Sequence, residues 1–290
     1  MNGSLKPTSL VTPVKQPVGP YRIPKHHVFQ DHRRFGFSHI MLLVVILFLF
    51  IPLIVVIVYS FNAGKSMRWA GFSFQWYAHL LFDSQELWRA FANSFIIAIS
   101  SALAATFLGT LSAIGITWYR FKSRTYVQII SFLPMILPEV IIGISMLIFF
   151  SAVHIPLGMV SIFIAHTTFN LPFVFLLVSA RLDEFDFSVI EAARDLGATE
   201  RQTLVKVIIP AIMPGVFSGM LMAVTMSLED FVITFFVSGP GSTTLPLYVY
   251  SMIRYGVSPV INALSLVLIL SIMLIALISR RFLKTIAAAS

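Results

Sequence analysis

Six long apolar runs, separated by polar stretches, set the pattern of the chain. They cover roughly 39–60, 92–117, 127–151, 158–180, 212–237 and 258–279. Each is close to the ~20 residues that a helix needs to cross a bilayer. The first, IMLLVVILFLFIPLIVVIVY, is longer than the ~7–15-residue core of a secretory signal, and no A-x-A site follows it, so it reads as an anchor. The pattern predicts an all-α polytopic membrane protein with six transmembrane helices over residues 39–290. Residues 1–38 differ. They are proline-rich, basic and poor in apolar residues, and are expected to be a flexible tail that cannot bury enough surface to offset its ordering entropy.

Composition agrees with lipid as the main solvent. Of 290 residues, 58% are hydrophobic and only 11% charged, against about a quarter charged in a soluble domain. The mean hydropathy is +0.90. With no cysteine, disulfides and thiolate chemistry are excluded. The net charge of +8 could suggest nucleic acid, but its placement suggests orientation instead. Sixteen of the 20 Lys and Arg residues fall in the tail, the 118–126 and 181–211 loops and the C-terminus; four fall in the alternate loops. By the positive-inside rule, both termini and the 181–211 loop are expected to be cytoplasmic, so no nucleic-acid partner is needed to explain the charge.

The 181–211 loop contains EAARDLGATERQTLVKVIIP, Glu191 to Pro210, where charge gathers in a chain that otherwise avoids it. The spacing predicts two short helices. Ser188 and Glu191, and again Thr199 and Gln202, have capping-box spacing. Gly197 sits where the first helix would end in a left-handed turn, and Pro210 is expected to close the second. Phe185, Val189, Ala193 and Leu196 form an apolar stripe beside Glu191, Arg194 and Asp195. Such a unit is either an interfacial loop helix with no partner or a docking element.

The elements Glu191-Ala192-Ala193, Gly197, Ile208 and Pro210 resemble the EAA motif of ABC importer permease subunits, with Ile209 where leucine is usual. The six runs, RLDEFD before the motif and SGPGSTTLPLYVYSMIRYGVSPVINALS after it are similar to the spermidine/putrescine-type permeases, particularly the second of their two permease subunits, over roughly 40–280. The resemblance implies a type I ABC importer (MetI-like) permease fold in a bacterial inner membrane. It also implies a coupling role for Glu191, Ala192, Ala193, Asp195, Gly197 and Pro210, docked on an ATPase. The implied partners are a second permease subunit, two ATPase subunits that carry ATP and Mg, and an extracytoplasmic substrate-binding protein. The chain itself is expected to bind no cofactor and to hydrolyse nothing.

Carboxylates within apolar runs are costly, and there are three: Glu139, and the adjacent Glu229 and Asp230. The runs hold no lysine or arginine to match them, which suits a cationic cargo. Helix hydrogen bonding, protonation or pairing with Arg254 would account for them equally well. The resemblance favours a polyamine path; ferric iron or thiamine permeases, or a lone six-span channel or carrier, are the alternatives. At ~1.5 Å per residue, Glu229 and Asp230 are expected near the outer side and Glu139 nearer mid-membrane. Pro134 and Pro138 predict a kink in the third run. His166, Thr167, Thr168 and Asn170 predict interhelical hydrogen bonds, and Gly215 and Gly219 a helix contact. Trp76, Tyr77 and Trp88 are expected to anchor at the membrane interface. Gly64-Lys65-Ser66 matches the end of a phosphate loop, but the position that needs its first glycine is Tyr59. No HExxH, G-x-S-x-G or paired-histidine metal motif occurs.

Overall fold

The computed structural model describes residues 37–65, 68–118, 122–255 and 259–289. Most of the expected tail and part of the 118–126 loop lie outside them. Residues up to Leu53 and from Ile54 onward form two compact units. In the first, Phe37–Leu53 belongs to helix α1 (Phe37–Tyr59), which has no buried side chain, as suits a span surrounded by lipid.

The second unit continues through eleven further α-helices among the described residues. They are α2 (Gln75–Phe82), α3 (Gln85–Trp118), α4 (Arg124–Ile136), α5 (Glu139–Ala152), α6 (Met159–Asp183), α7 (Ser188–Asp195), α8 (Glu200–Thr203), α9 (Ile209–Glu229), α10 (Val232–Val237), α11 (Leu245–Tyr255) and α12 (Pro259–Ala289). The chain is all-α, as expected. Four helices are long and apolar enough to cross a membrane, counting Glu200–Glu229 as one, and a bent pair, α4 with α5, makes a fifth. A further apolar helix segment, Pro259–Leu274, lies in α12 among the described residues.

The centre is a three-helix contact of α3, α6 and α9. Ala102, Ala105 and Ala113 from α3 meet Val174, Phe175, Val178 and Leu182 from α6 and Ile212 and Ala223 from α9. Lipid removes most of the hydrophobic drive for helix association, so close packing of small residues must supply it. Gly109 and Gly219 show how. A Cβ at Gly109 would lie 2.9 Å from the Val174 Cβ, and one at Gly219 would lie 3.2 Å from the Val174 Cα. Gly215 is equally tight against Arg181, so the expected glycine contact is present and α6 is its partner.

Two sequence expectations need correction. The third run is bent by 110° between α4 and α5, far beyond a packing kink. Leu137 is extended (φ −77°, ψ 141°) because the following Pro138 disfavours the helical region at that residue, and α5 restarts with Glu139 in its first turn. Pro210 does not close a helix. The chain stays helical from Glu200, passing through a π-helical turn at Leu204–Ile208 that accommodates the proline's missing N–H.

The 61–91 aromatics are packed into the fold. Trp76 packs with Leu80, Leu87, Val260, Ala263 and Leu264, with Tyr77 and Trp88 against that cluster. The Trp76 Nε1–H donates to the Asn62 carbonyl, the Tyr77 hydroxyl to Ser60 Oγ and the Trp88 Nε1–H to the Leu80 carbonyl, each at 2.7 Å. These rings tie the 61–91 segment to α12.

Candidate functional site

The helix bend at Pro138 and a second break at Asp230 bring all three carboxylates to one place. Glu139, Glu229 and Asp230 line a cavity of about 300 Å³ together with Phe169, Met226, Phe231 and Val232. Glu139, which follows the 110° bend, thus shares a cavity with the acids at the α9–α10 break.

The three acids are not equivalent. Asp230 is buried, 8% exposed, and ends α9 in an extended conformation. Its Oδ1 accepts from the Ile233 N–H at 3.2 Å. Its Oδ2 accepts from the Thr234 N–H at 2.8 Å and the Thr234 hydroxyl at 2.7 Å, capping the short α10. His166 Nε2, on α6, lies 3.1 Å from the same oxygen. The candidate partner Arg254 is thus replaced by His166. Glu139 and Glu229 are exposed, with no hydrogen bond or ion pair to either carboxylate among the described residues.

The expected polar patch on α6 divides. His166 bridges helices, as expected. Thr167 and Thr168 donate instead to the carbonyls of Phe163 and Ile164, one turn back. Asn170 is buried with neither side-chain polar atom paired among the described residues. His166 as the partner of Asp230 was missed. The signal available was the i, i+3, i+7 spacing of Ser227, Asp230 and Thr234, polar residues within an apolar run.

The charged loop is a separate construction. Helix α7 is followed by Gly197 with φ +84°, a conformation that glycine accepts without Cβ strain. The Gly197 N–H donates to the Arg194 carbonyl at 2.8 Å and the Ala198 N–H to the Ala193 carbonyl at 3.0 Å, the paired closure of a Schellman turn. Thr199 and Gln202 form the expected capping box, through bonds of 2.9 and 3.3 Å. Ser188 does not cap α7. Asp186 accepts the Ser188 N–H at 2.9 Å, and this bond holds the Asp186 carboxyl below the usual carboxylate range. The expected box fails because an acceptor two residues earlier has taken that position. Glu191, Ala192 and Asp195 are exposed, Ala193 is partly so, and Pro210 is exposed near the start of α9. Leu196 is 89% exposed.

Among the described residues, no group of three His, Cys, Asp or Glu side chains is placed to hold a metal ion. The site offers two free carboxylates and two aromatic rings in one cavity, and a helix–turn–helix elsewhere with an uncovered apolar face.

A bundle of long apolar helices joined by a charged helical loop is the architecture of a multi-pass membrane protein. Residues 105–289 match the family of binding-protein-dependent transport system inner membrane components, and the chain belongs to that family. It is 41% identical over 230 residues to the spermidine/putrescine transport system permease protein PotC of Escherichia coli (strain K12), covering 79% of this chain and 87% of that one. It is 42% identical over 234 residues to the putrescine transport system permease protein PotI of the same organism, covering 78% and 83%. Its fold is that of a chain in a bacterial ABC transporter involved in the import of the acidic polysaccharide alginate, with a TM-score of 0.65 at 17% identity, covering 84% and 94%. The chain is a permease subunit of an ABC importer.

Proposed function

We propose that this subunit forms half of a membrane path for polyamines, putrescine or spermidine. A second permease subunit forms the other half, two ATPase subunits carry ATP and Mg on the cytoplasmic side, and an extracytoplasmic binding protein delivers cargo. The observation that carries the cargo assignment is the pair of unpartnered carboxylates, Glu139 and Glu229, in one cavity with Phe169 and Phe231. A polyamine presents ammonium groups on an apolar stem. Carboxylates pair with the ammonium, and ring faces attract the cation and contact the methylenes. The 41–42% identity to permeases named for spermidine and putrescine supports the same cargo. Binding in such a path stays weak, because whatever enters must leave.

Coupling runs through the loop. Leu196, Val189 and Phe187 are exposed on or beside α7, next to Glu191 and Asp195, and fit a cleft on an ATPase subunit. Closure of the ATPases on ATP draws the docked loops together and rocks the helices between outward and inward access. The surplus of Lys and Arg in the tail, the 181–211 loop and the C-terminus supports a cytoplasmic location for both termini and for this loop. The chain itself binds no cofactor and catalyses no reaction.

The test is uptake of labelled putrescine and spermidine by cells expressing the chain with its partner subunits, with and without the ATPase. Uptake that depends on the ATPase is expected. Full uptake without it would contradict the reading.

A further inference from the structure

One of the cavity acids, Asp230, is held in place by a buried network. Ser101 on α3 donates to Ser227 Oγ on α9 at 3.3 Å, and Ser227 Oγ lies 2.7 Å from His166 Nδ1 on α6. His166 Nε2 lies 3.1 Å from Asp230 Oδ2 and 3.0 Å from Thr234 Oγ1. Ser227 Oγ and Asp230 Oδ2 thus engage one ring nitrogen each. His166 is 1% exposed and does not line the cavity.

Asp230 accepts four hydrogen bonds, from Ile233, twice from Thr234, and from His166. Three of these fall on Oδ2 and one on Oδ1. Oδ2 is thus wholly committed to holding the break, and at most one site, on Oδ1, is left for a cargo ammonium. Glu229 is the last residue of α9, directly before this pinned break, and its carboxylate is free.

We propose that His166 is a positioning residue for cargo. Through Asp230 it fixes the α9–α10 break, so that Glu229 opens into the cavity beside Glu139. Glu139 and Glu229 receive the cation; Asp230 and His166 hold the frame. Three helices meet at this network, so the direction of Glu229 depends on how α3, α6 and α9 are packed. The inference rests on the cavity being the cargo site.

Asparagine and glutamine separate the two sides of the imidazole. An asparagine amide reaches where Nδ1 lies and keeps the Ser227 contact; a glutamine amide reaches where Nε2 lies and keeps the Asp230 contact. Uptake of labelled spermidine by the complete importer at saturating cargo, per assembled complex, is measured for His166→Asn, His166→Gln, Glu229→Gln and His166→Asn with Glu229→Gln. His166→Asn is expected to lower uptake about tenfold and His166→Gln less than about threefold, with ATP hydrolysis intact. In the Glu229→Gln background, His166→Asn is expected to cost less than about twofold more, because both changes disable one carboxylate. Equal losses for Asn and Gln, or losses that multiply with Glu229→Gln, would overturn the positioning role. If His166→Asn does not assemble, Thr234→Val removes one bond to the same oxygen and is tested for the same non-additivity, with the same outcomes deciding. Glu229→Gln with unchanged uptake would instead remove the cargo assignment itself.

Discussion

Two of the helix breaks beside carboxylates, at Asp230 and at Gly197, are completed differently. At Asp230 every partner is internal. Two backbone N–H groups, a threonine and a histidine from another helix surround a carboxylate that is 8% exposed. At Gly197 the backbone is closed by its own Schellman bonds, but the side chains around it are uncovered. Leu196 is 89% exposed, and a Cβ at Gly197 would meet nothing within 4 Å. A break sealed from within can hold a geometry for cargo. One left open on its apolar side is finished by another chain. Charge alone does not distinguish the two; the location of the hydrogen-bond partners does.

The largest effect is expected at the open break. Leu196→Glu or Glu191→Lys should abolish uptake, a loss of at least about a hundredfold, because a docked apolar anchor or charge contact carries much of an interface's energy. The chain should remain inserted at normal abundance, since neither side chain supports its own fold. Membrane abundance measured beside uptake checks this. Next comes the sealed break. Asp230→Ala leaves two N–H groups, a hydroxyl and His166 without their acceptor, and should destabilise the assembled complex by about 3 kcal/mol, read as a lowered thermal midpoint in detergent.

Gly219→Val or Gly109→Val probes the frame beneath both regions. Each pushes a branched side chain into Val174 and should cost at least about 1–3 kcal/mol, with uptake falling through lost protein rather than lost cargo handling. The smallest effects belong to the caps. Thr199→Ala should cost about 1 kcal/mol, whereas Ser188→Ala should cost nothing measurable, because Asp186 serves α7. Since bonding lowers the Asp186 pKa, its contribution is complete above the ordinary carboxylate pKa and is lost only as pH falls through the lowered value. Coupling should therefore not change between pH 5 and 8 on this account, which ATP hydrolysis by the assembled importer across that range would check.

Much of the architecture was legible in the sequence, because an apolar run of bilayer length leaves few alternatives. The Gly197 turn and the Thr199–Gln202 box were legible for a similar reason, as both are local. The cavity was not. Glu139 and Glu229 lie far apart in sequence, and only the direction of the Pro138 bend brings them together. Pro138 announces a break but not its angle, which is set by tertiary contacts such as Phe236 pressed on Gly143, where a Cβ would lie 2.6 Å from the ring. His166 was legible as a polar residue in a span, but its partner depended on how α6 faces α9. Pro210 misled because a π-helical turn absorbs what a proline would otherwise terminate.

The most direct test measures spermidine uptake and ATP hydrolysis together in the reconstituted importer, comparing Glu139→Gln with Glu229→Gln in the cavity against Leu196→Glu in the loop. The cavity pair is expected to lose at least about tenfold in uptake while hydrolysis continues, and the loop variant to lose both. Full uptake by the cavity pair, or undiminished uptake by Leu196→Glu, would contradict the division of the chain into a cargo break and a coupling break.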